Sequence, residues 1–234
     1  MTAVPALELS GVVKDYKGLR PLRIAELTVG GGERVALSGV DRPAAEALIN
    51  LVTGAALPDE GEIRIFGHPT SGIASGDDWL TSLDRFGIVT DRAVLLEGST
   101  IAQNLALPFT LAIDSLAPDV RSRVEALARD VGLEPSALDK KPAESAPAVS
   151  LRAHLARAIA LDPAILLLEH PTASVPAAAV AALAGDVGRV ARLRGLTTVA
   201  ITEDATFARG MADRYLRVKG ATGEVAPVRR FYFF

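Results

Sequence analysis

Ile63 and Ile65 alternate with charged residues in EIRIFG (residues 62–67), the period-two pattern of a strand that buries one face. Similar short patterns occur in ALELSGVV (6–13), RIAELTV (23–29) and ERVALSG (33–39). FGIVT (86–90), AILLL (164–168) and TTVAIT (197–202) are continuous apolar runs and predict strands buried on both faces. RYLRVKGATGEV (214–225) predicts a terminal hairpin with a glycine-containing turn at 219–223. Between these runs the period changes to 3.6. Ala47, Leu48, Leu51 and Val52 share a helix face that stops at Gly54. Val120, Val124, Leu127 and Val131 do the same over 118–132, stopping at Gly132. Leu151, Leu155 and Ile159 mark a helix over 150–160 that ends before Asp162 and Pro163, and Val180, Leu183, Val187 and Val190 mark one over 176–195. Helices alternating with buried strands imply an α/β core around a parallel sheet. Residues 91–150 carry helices and polar loops without a strand pattern, which predicts a helical lobe inserted into that core.

Composition narrows the function. Apolar residues are 49% of 234, net charge is −3 and there is no cysteine. The chain can bury a substantial core, shows no electrostatic footprint for nucleic acid, and has no disulfides or thiolate metal sites. No apolar run approaches the roughly 20 residues that span a bilayer, and the N-terminus lacks a signal-peptide pattern, so the expected location is the cytoplasm. The aromatic end, Phe231, Tyr232, Phe233 and Phe234 after Arg229 and Arg230, is either a packed last segment or an apolar contact for a partner or a membrane.

The stretch SGVDRPAAEALINLVTG (38–54) has the layout of a phosphate-binding loop: a buried strand enters it and an amphipathic helix leaves it. Gly39 stands where the first glycine of Gly-x-x-x-x-Gly-Lys-Ser/Thr belongs, but Ala44, Ala45 and Glu46 occupy the positions where Gly, Lys and the hydroxyl residue belong. Pro43 supplies no backbone N–H. Glu46 near a helix N-terminus would oppose a bound triphosphate by about 4 kcal/mol for each unit-charge pair at about 4 Å and an effective dielectric near 20.

Four longer segments resemble the ATP-binding cassette (ABC) transporter ATPase subunits, in the right order and over nearly the whole chain. LINLVTGAALPDEGEIRIFG (48–67) is similar to the helix and strand after the Walker A loop, and VTDRAVLLEGSTIAQNLALPF (89–109) to the Q-loop region ending in Asn104, Leu105, Ala106, Leu107 and Pro108. ARAIALDPAILLLEHPTASV (156–175) resembles the signature helix with Walker B, and GLTTVAITEDATFARGMADRYLRV (195–218) the switch and closing strands. The resemblance implies a P-loop NTPase-like ABC ATPase fold: one domain over 1–234, with an α/β core lobe (1–90 and 151–234), N-terminal antiparallel strands and a helical subdomain (91–150).

The resemblance also assigns roles, position by position. The Walker A lysine falls at Ala45, the Mg²⁺-ligating hydroxyl at Glu46, and the nest glycines at Arg42 and Ala44. The Q-loop glutamine falls at Asp91, and the signature at Ser145, Ala146, Pro147, Ala148 and Val149. The Walker B aspartate is Glu169, the catalytic glutamate His170, the D-loop aspartate Pro176 and the switch histidine Glu203. Tyr16, at the adenine-stacking position, and Arg152, after the signature, fit the pattern. No intact catalytic set remains for Walker-type hydrolysis.

The expectation is a non-hydrolysing ABC-type subunit that scaffolds or regulates a membrane transport complex, with no cofactor, held at the inner face of the membrane by a permease subunit, a competent ABC ATPase subunit, or both, in a homo- or heterodimer. One alternative is a divergent ATP- and Mg²⁺-binding subunit with weak or partner-dependent hydrolysis, in which Tyr16 stacks adenine and Arg42 or Arg92 replaces the lysine. Another is a divalent-cation site where Glu46, Asp91, Glu169, His170 and Glu203 converge, against which stands pairing of those carboxylates with Arg42 and nearby basic groups, or their solvation. His68 and His154 are expected as surface or packing residues.

Overall fold

The computed structural model describes residues 4–90 and 92–228. Asp91 and the aromatic end (Phe231, Tyr232, Phe233 and Phe234) lie outside the described residues.

Two sheets form. Strands β1 (Leu7–Lys14), β2 (Leu22–Val29), β4 (Glu60–Ile65) and β5 (His68–Pro69) make an antiparallel sheet in the order β2-β1-β4-β5. Leu7 and Leu9 point inward, and a register shift against β4 between Ser10 and Val13 then changes the phase, so that Val12 is buried rather than Val13. The second sheet has the order β10-β9-β3-β8-β7-β6. In it β3 (Arg34–Ser38), β6 (Phe86–Val89), β7 (Ile165–Glu169), β8 (Thr197–Ile201) and β9 (Arg214–Val218) run parallel. β10 (Val225–Pro227) turns back antiparallel on the edge.

Alternate residues of the parallel sheet feed two cores. Ala36, Leu166, Leu168 and Ala200 face a core shared with α4 (Pro118–Asp130), α5 (Pro147–Ala158), α6 (Ala177–Arg194) and α7 (Ala205–Met211). Val35, Leu37, Leu167 and Ile201 face a second core, where α1 (Arg42–Val52) and the antiparallel sheet contribute Leu48, Leu51, Leu9, Ile24 and Ile63. Two further helices, α2 (Gly76–Leu83) and α3 (Ile101–Ala106), complete the set.

The strand and long-helix patterns lie within a few residues of the observed elements. Helix α5 starts earlier than its apolar stripe, because Pro147 is pre-set for a first turn. Helices α2, α3 and α7 are too short, at 8, 6 and 7 residues, to show a period. Local capping defines them instead: Ser75 caps α2, Thr100 and Gln103 form a capping box on α3, and Asp204 caps α7. Among the described residues no strand falls between β6 and β7, and no helix is long and apolar enough to cross a membrane. The loops after β3, β6, β7 and β8 leave the same carboxyl edge of the sheet, where open α/β sheets place their ligands.

Candidate functional site

Only Gly39, Val40 and Asp41 separate β3 from α1. Asp41 caps the helix, its Oδ1 accepting the Ala44 N–H at 3.0 Å, while its carbonyl accepts the Ala45 N–H at 2.8 Å. Pro43 brings no N–H, and the Gly39 N–H donates to Glu203 Oε1 at 2.6 Å. The loop amides at 39, 44 and 45 therefore all have partners inside the protein. Ala44 and Ala45 are buried, so apolar methyl groups stand at the helix start. Gly39 itself is fixed by geometry: φ is +80°, and a Cβ there would sit 2.2 Å from the Val218 carbonyl oxygen of β9.

Arg92, in the loop after β6, spans the gap between two carboxylates. Its Nη2 donates to Glu169 Oε2 at 2.9 Å, and its Nη1 pairs with Glu46 Oε1 on α1, just past the first turn. Glu169 ends β7 and is buried, with 6% of its side chain exposed, whereas Glu46 and Arg92 are about half exposed. The three side chains together carry a charge of −1 at neutral pH.

His170 follows Glu169 in the left-handed region, at φ 41°, unusual for a residue with a Cβ, and its N–H donates to Ile201 O at 2.8 Å. Its Nε2 and the Nδ1 of His154 are buried without a hydrogen-bond partner. Both imidazoles line one cavity of about 360 Å³, together with Thr90, Ser150, Glu169 and Ser174. Burial, and then the neighbouring Arg157, hold the His154 imidazole below its ordinary 6.5. The unfolded chain thus takes up this proton first, and stability falls as pH drops below 6.5 toward the lower folded value. His154→Gln is expected to flatten the fall in Tm between about pH 7 and about pH 5.5. An unchanged slope would contradict this.

Tyr16 packs partly on the second core and opens onto a cleft of about 520 Å³ that also contains Gly39, Asp41, Ala44 and Glu203. The glycine at 18 lets its ring lie close, since a Cβ there would come within 2.4 Å of Tyr16 Cε2.

A groove of about 510 Å³ runs between Ile88, Val94, Leu96, Leu107, Pro108 and α5. Its wall is rigid. Asn104 is fully buried, its Oδ1 accepting the Leu96 N–H at 2.7 Å while Nδ2 donates to the carbonyls of Leu96 and Thr100 at 3.1 and 3.0 Å. Arg157 reaches from α5 to donate to Val94 O at 3.0 Å. Val94 and Leu96 stay exposed at 70% and 44%.

The structure thus gathers Gly39, Glu46, Glu169 and Glu203 along one edge of the sheet, but each carboxylate has a partner other than a metal. Among the described residues no group of three or more His, Cys, Asp or Glu is placed to hold a metal ion. Arg152 pairs with Asp186 of α6, its Nε lying 3.1 Å from Oδ2, a structural link between helices. The signature positions Ser145 and Ala146 lead into α5, which has no side-chain cap. Two roles were missed in the sequence: Asp41 as helix cap, which an Asp two residues before a proline signals, and Arg92 as the bridge, for which no local signal exists.

Residues 22–173 match the family described as ABC transporter. The chain is 32% identical over 233 residues to the macrolide export ATP-binding/permease protein MacB 1 of Aeromonas hydrophila subsp. hydrophila, a match covering 97% of this chain and 35% of that protein. It therefore spans about a third of this relative's length. It is 30% identical over 210 residues to the lipoprotein-releasing system ATP-binding protein LolD of Anaeromyxobacter dehalogenans, covering 88% of this chain and 87% of LolD. Among solved structures, the dimeric post-hydrolysis state of the ATP-binding cassette MJ0796 bound to ADP and Pi superposes with a TM-score of 0.74 at 22% identity, over 96% of this chain and 100% of that one. At that identity the likeness concerns the fold.

Proposed function

Because the chain belongs to the ABC transporter ATP-binding subunit family, we propose that it serves a membrane transport complex as a partner-binding subunit that does not hydrolyse ATP. The observation that carries this reading is Arg92 seated between Glu46 and Glu169. A triphosphate with its metal needs cations, open amides and a metal-binding carboxylate at such a loop. Here the nearby guanidinium is committed to two carboxylates, the three-residue cluster is net negative, and the loop amides are paired to Asp41 and Glu203. A γ-phosphate that displaced Arg92 would strand the buried Glu169 without its cation, a cost of several kcal/mol. The altered positions Ala45, Glu46, His170 and Glu203 support the same reading, since none supplies the lysine, hydroxyl, carboxylate or imidazole that the family uses there.

The partner surface is the groove of Val94, Leu96, Leu107 and Pro108. Its exposed apolar rim on a rigid, Asn104-stapled wall suits an amphipathic helix from a permease. One relative supports such a partner: MacB 1 is named as an ATP-binding/permease protein. Through a permease the chain sits at the inner face of the membrane. Co-expressed with the permease of its complex, the wild-type chain is expected to co-purify in detergent, and Val94→Asp with Leu96→Asp to reduce recovery at least tenfold while Tm stays within a few degrees. Undiminished recovery of the folded variant would contradict the docking site.

A further inference from the structure

The cavity that holds the two unpartnered imidazole nitrogens lies on the α5 side of the parallel sheet. Leu166 and Leu168 of β7 face the core of α5, whereas Leu167 faces that of α1. Neither Tyr16 nor any residue from Gly39 to Glu46 lines this cavity. On α5, Ser150 and His154 are one turn apart and share the face that borders it. From the sheet, His170 is presented by its left-handed backbone. That turn is held by the His170 N–H on Ile201 O and by the Ala173 N–H, which donates to His170 O at 3.0 Å. Buried polar atoms rarely lack a partner, so His154 Nδ1 and His170 Nε2 need a guest in the cavity they both line.

The lining sets the chemistry of that guest. Among the described residues Glu169 is its only carboxylate and already pairs with Arg92, and no lysine or arginine lines it. Burial and then Arg157 keep the His154 imidazole neutral at about pH 7. An anion would find no cation here, and a cation no free carboxylate. Ser150 and Ser174 add hydroxyls that make no hydrogen bond with another described residue. A guest hydroxyl both donates and accepts, so it suits these groups and an imidazole in either tautomer. Val89, Leu151 and Pro171 supply apolar wall for its C–H faces.

We propose that this cavity binds a small uncharged polyol or sugar, held by hydrogen bonds to His154, His170, Ser150 and Ser174. Its volume of about 360 Å³ is at the small end of ligand pockets and suits a single ring rather than a chain. His154 also lines the groove of Val94 and Leu96, so a bound polyol ties α5, a wall of that groove, to the end of β7. The site stands or falls independently of the docking partner and of the loop's closure to phosphate.

The chain has three histidines, and His68 on β5 lies outside this cavity as an internal control. Imidazole NMR signals, assigned with His68→Gln, His154→Gln and His170→Gln, are followed at about pH 7.5 during titration with glycerol, myo-inositol and glucose. Concentrations up to about 100 mM reach affinities in the millimolar range. At least one probe is expected to shift the His154 and His170 signals saturably and leave His68 in place. Ser150→Leu, which fills the cavity from α5, is expected to weaken that binding tenfold or more. Ser174→Val does the same from the exposed rim and serves if Ser150→Leu does not fold. Glucosamine and glucuronate, which carry opposite charges, are expected to bind at least tenfold more weakly than the best uncharged probe. The proposal is overturned by no saturable shift with any probe, by parallel shifts of all three histidines, by full affinity in the folded filling variants, or by equal binding of a charged analogue.

Discussion

Arg92→Ala is expected to lower the stability of the folded chain by about 2–3 kcal/mol, because it leaves the buried Glu169 carboxylate without its counter-charge. For a domain of this size that is a fall in Tm of roughly 4–12 °C. The loss belongs to Glu169 rather than to Glu46, whose half-exposed carboxylate keeps its water, so Glu46→Gln alone should shift stability by no more than about 0.5 kcal/mol. A double-mutant cycle separates these contributions. Adding Glu169→Gln to Arg92→Ala removes the stranded charge and should restore most of the lost stability. If Arg92→Ala melts with the wild type, the bridge is an incidental surface contact and no longer counts against phosphate binding.

Gly39→Ala carries the other large effect. At φ +80° an alanine pays about 1–2 kcal/mol for the left-handed backbone, and its Cβ would lie 2.2 Å from the Val218 carbonyl oxygen. Relief requires the loop to move away from β9, which also breaks the Gly39 N–H bond to Glu203. The expected total is about 3–4 kcal/mol, seen as a denaturation midpoint shifted at unchanged m. A shift under about 1 kcal/mol would mean that the loop is not held tightly against β9.

Strands and long helices were readable because burial imposes a period, and the two faces of β3, β7 and β8 each feed a core. The phase change in β1 was not, since the bulge beside Gly11 arises from pairing with β4. At the site, a missing lysine, a proline without an N–H and an acid near the helix start were visible in one stretch of sequence. The partners of the loop and of Glu169 were not visible. Arg92 meets Glu169 across 77 residues, and Glu203 meets Gly39 across 164, contacts that only the shared edge of the sheet creates. Of the described carboxylates expected around a cation, Glu46 and Glu169 pair with Arg92 and Glu203 accepts the Gly39 N–H.

Whether this chain turns over ATP is measured most directly by phosphate release. With saturating Mg-ATP, the purified chain, alone and joined to its permease with no second cassette present, is expected to release phosphate no faster than buffer. Saturable, Mg²⁺-dependent release that disappears in Glu169→Gln or His170→Ala would place hydrolysis in this chain and contradict a non-hydrolysing role.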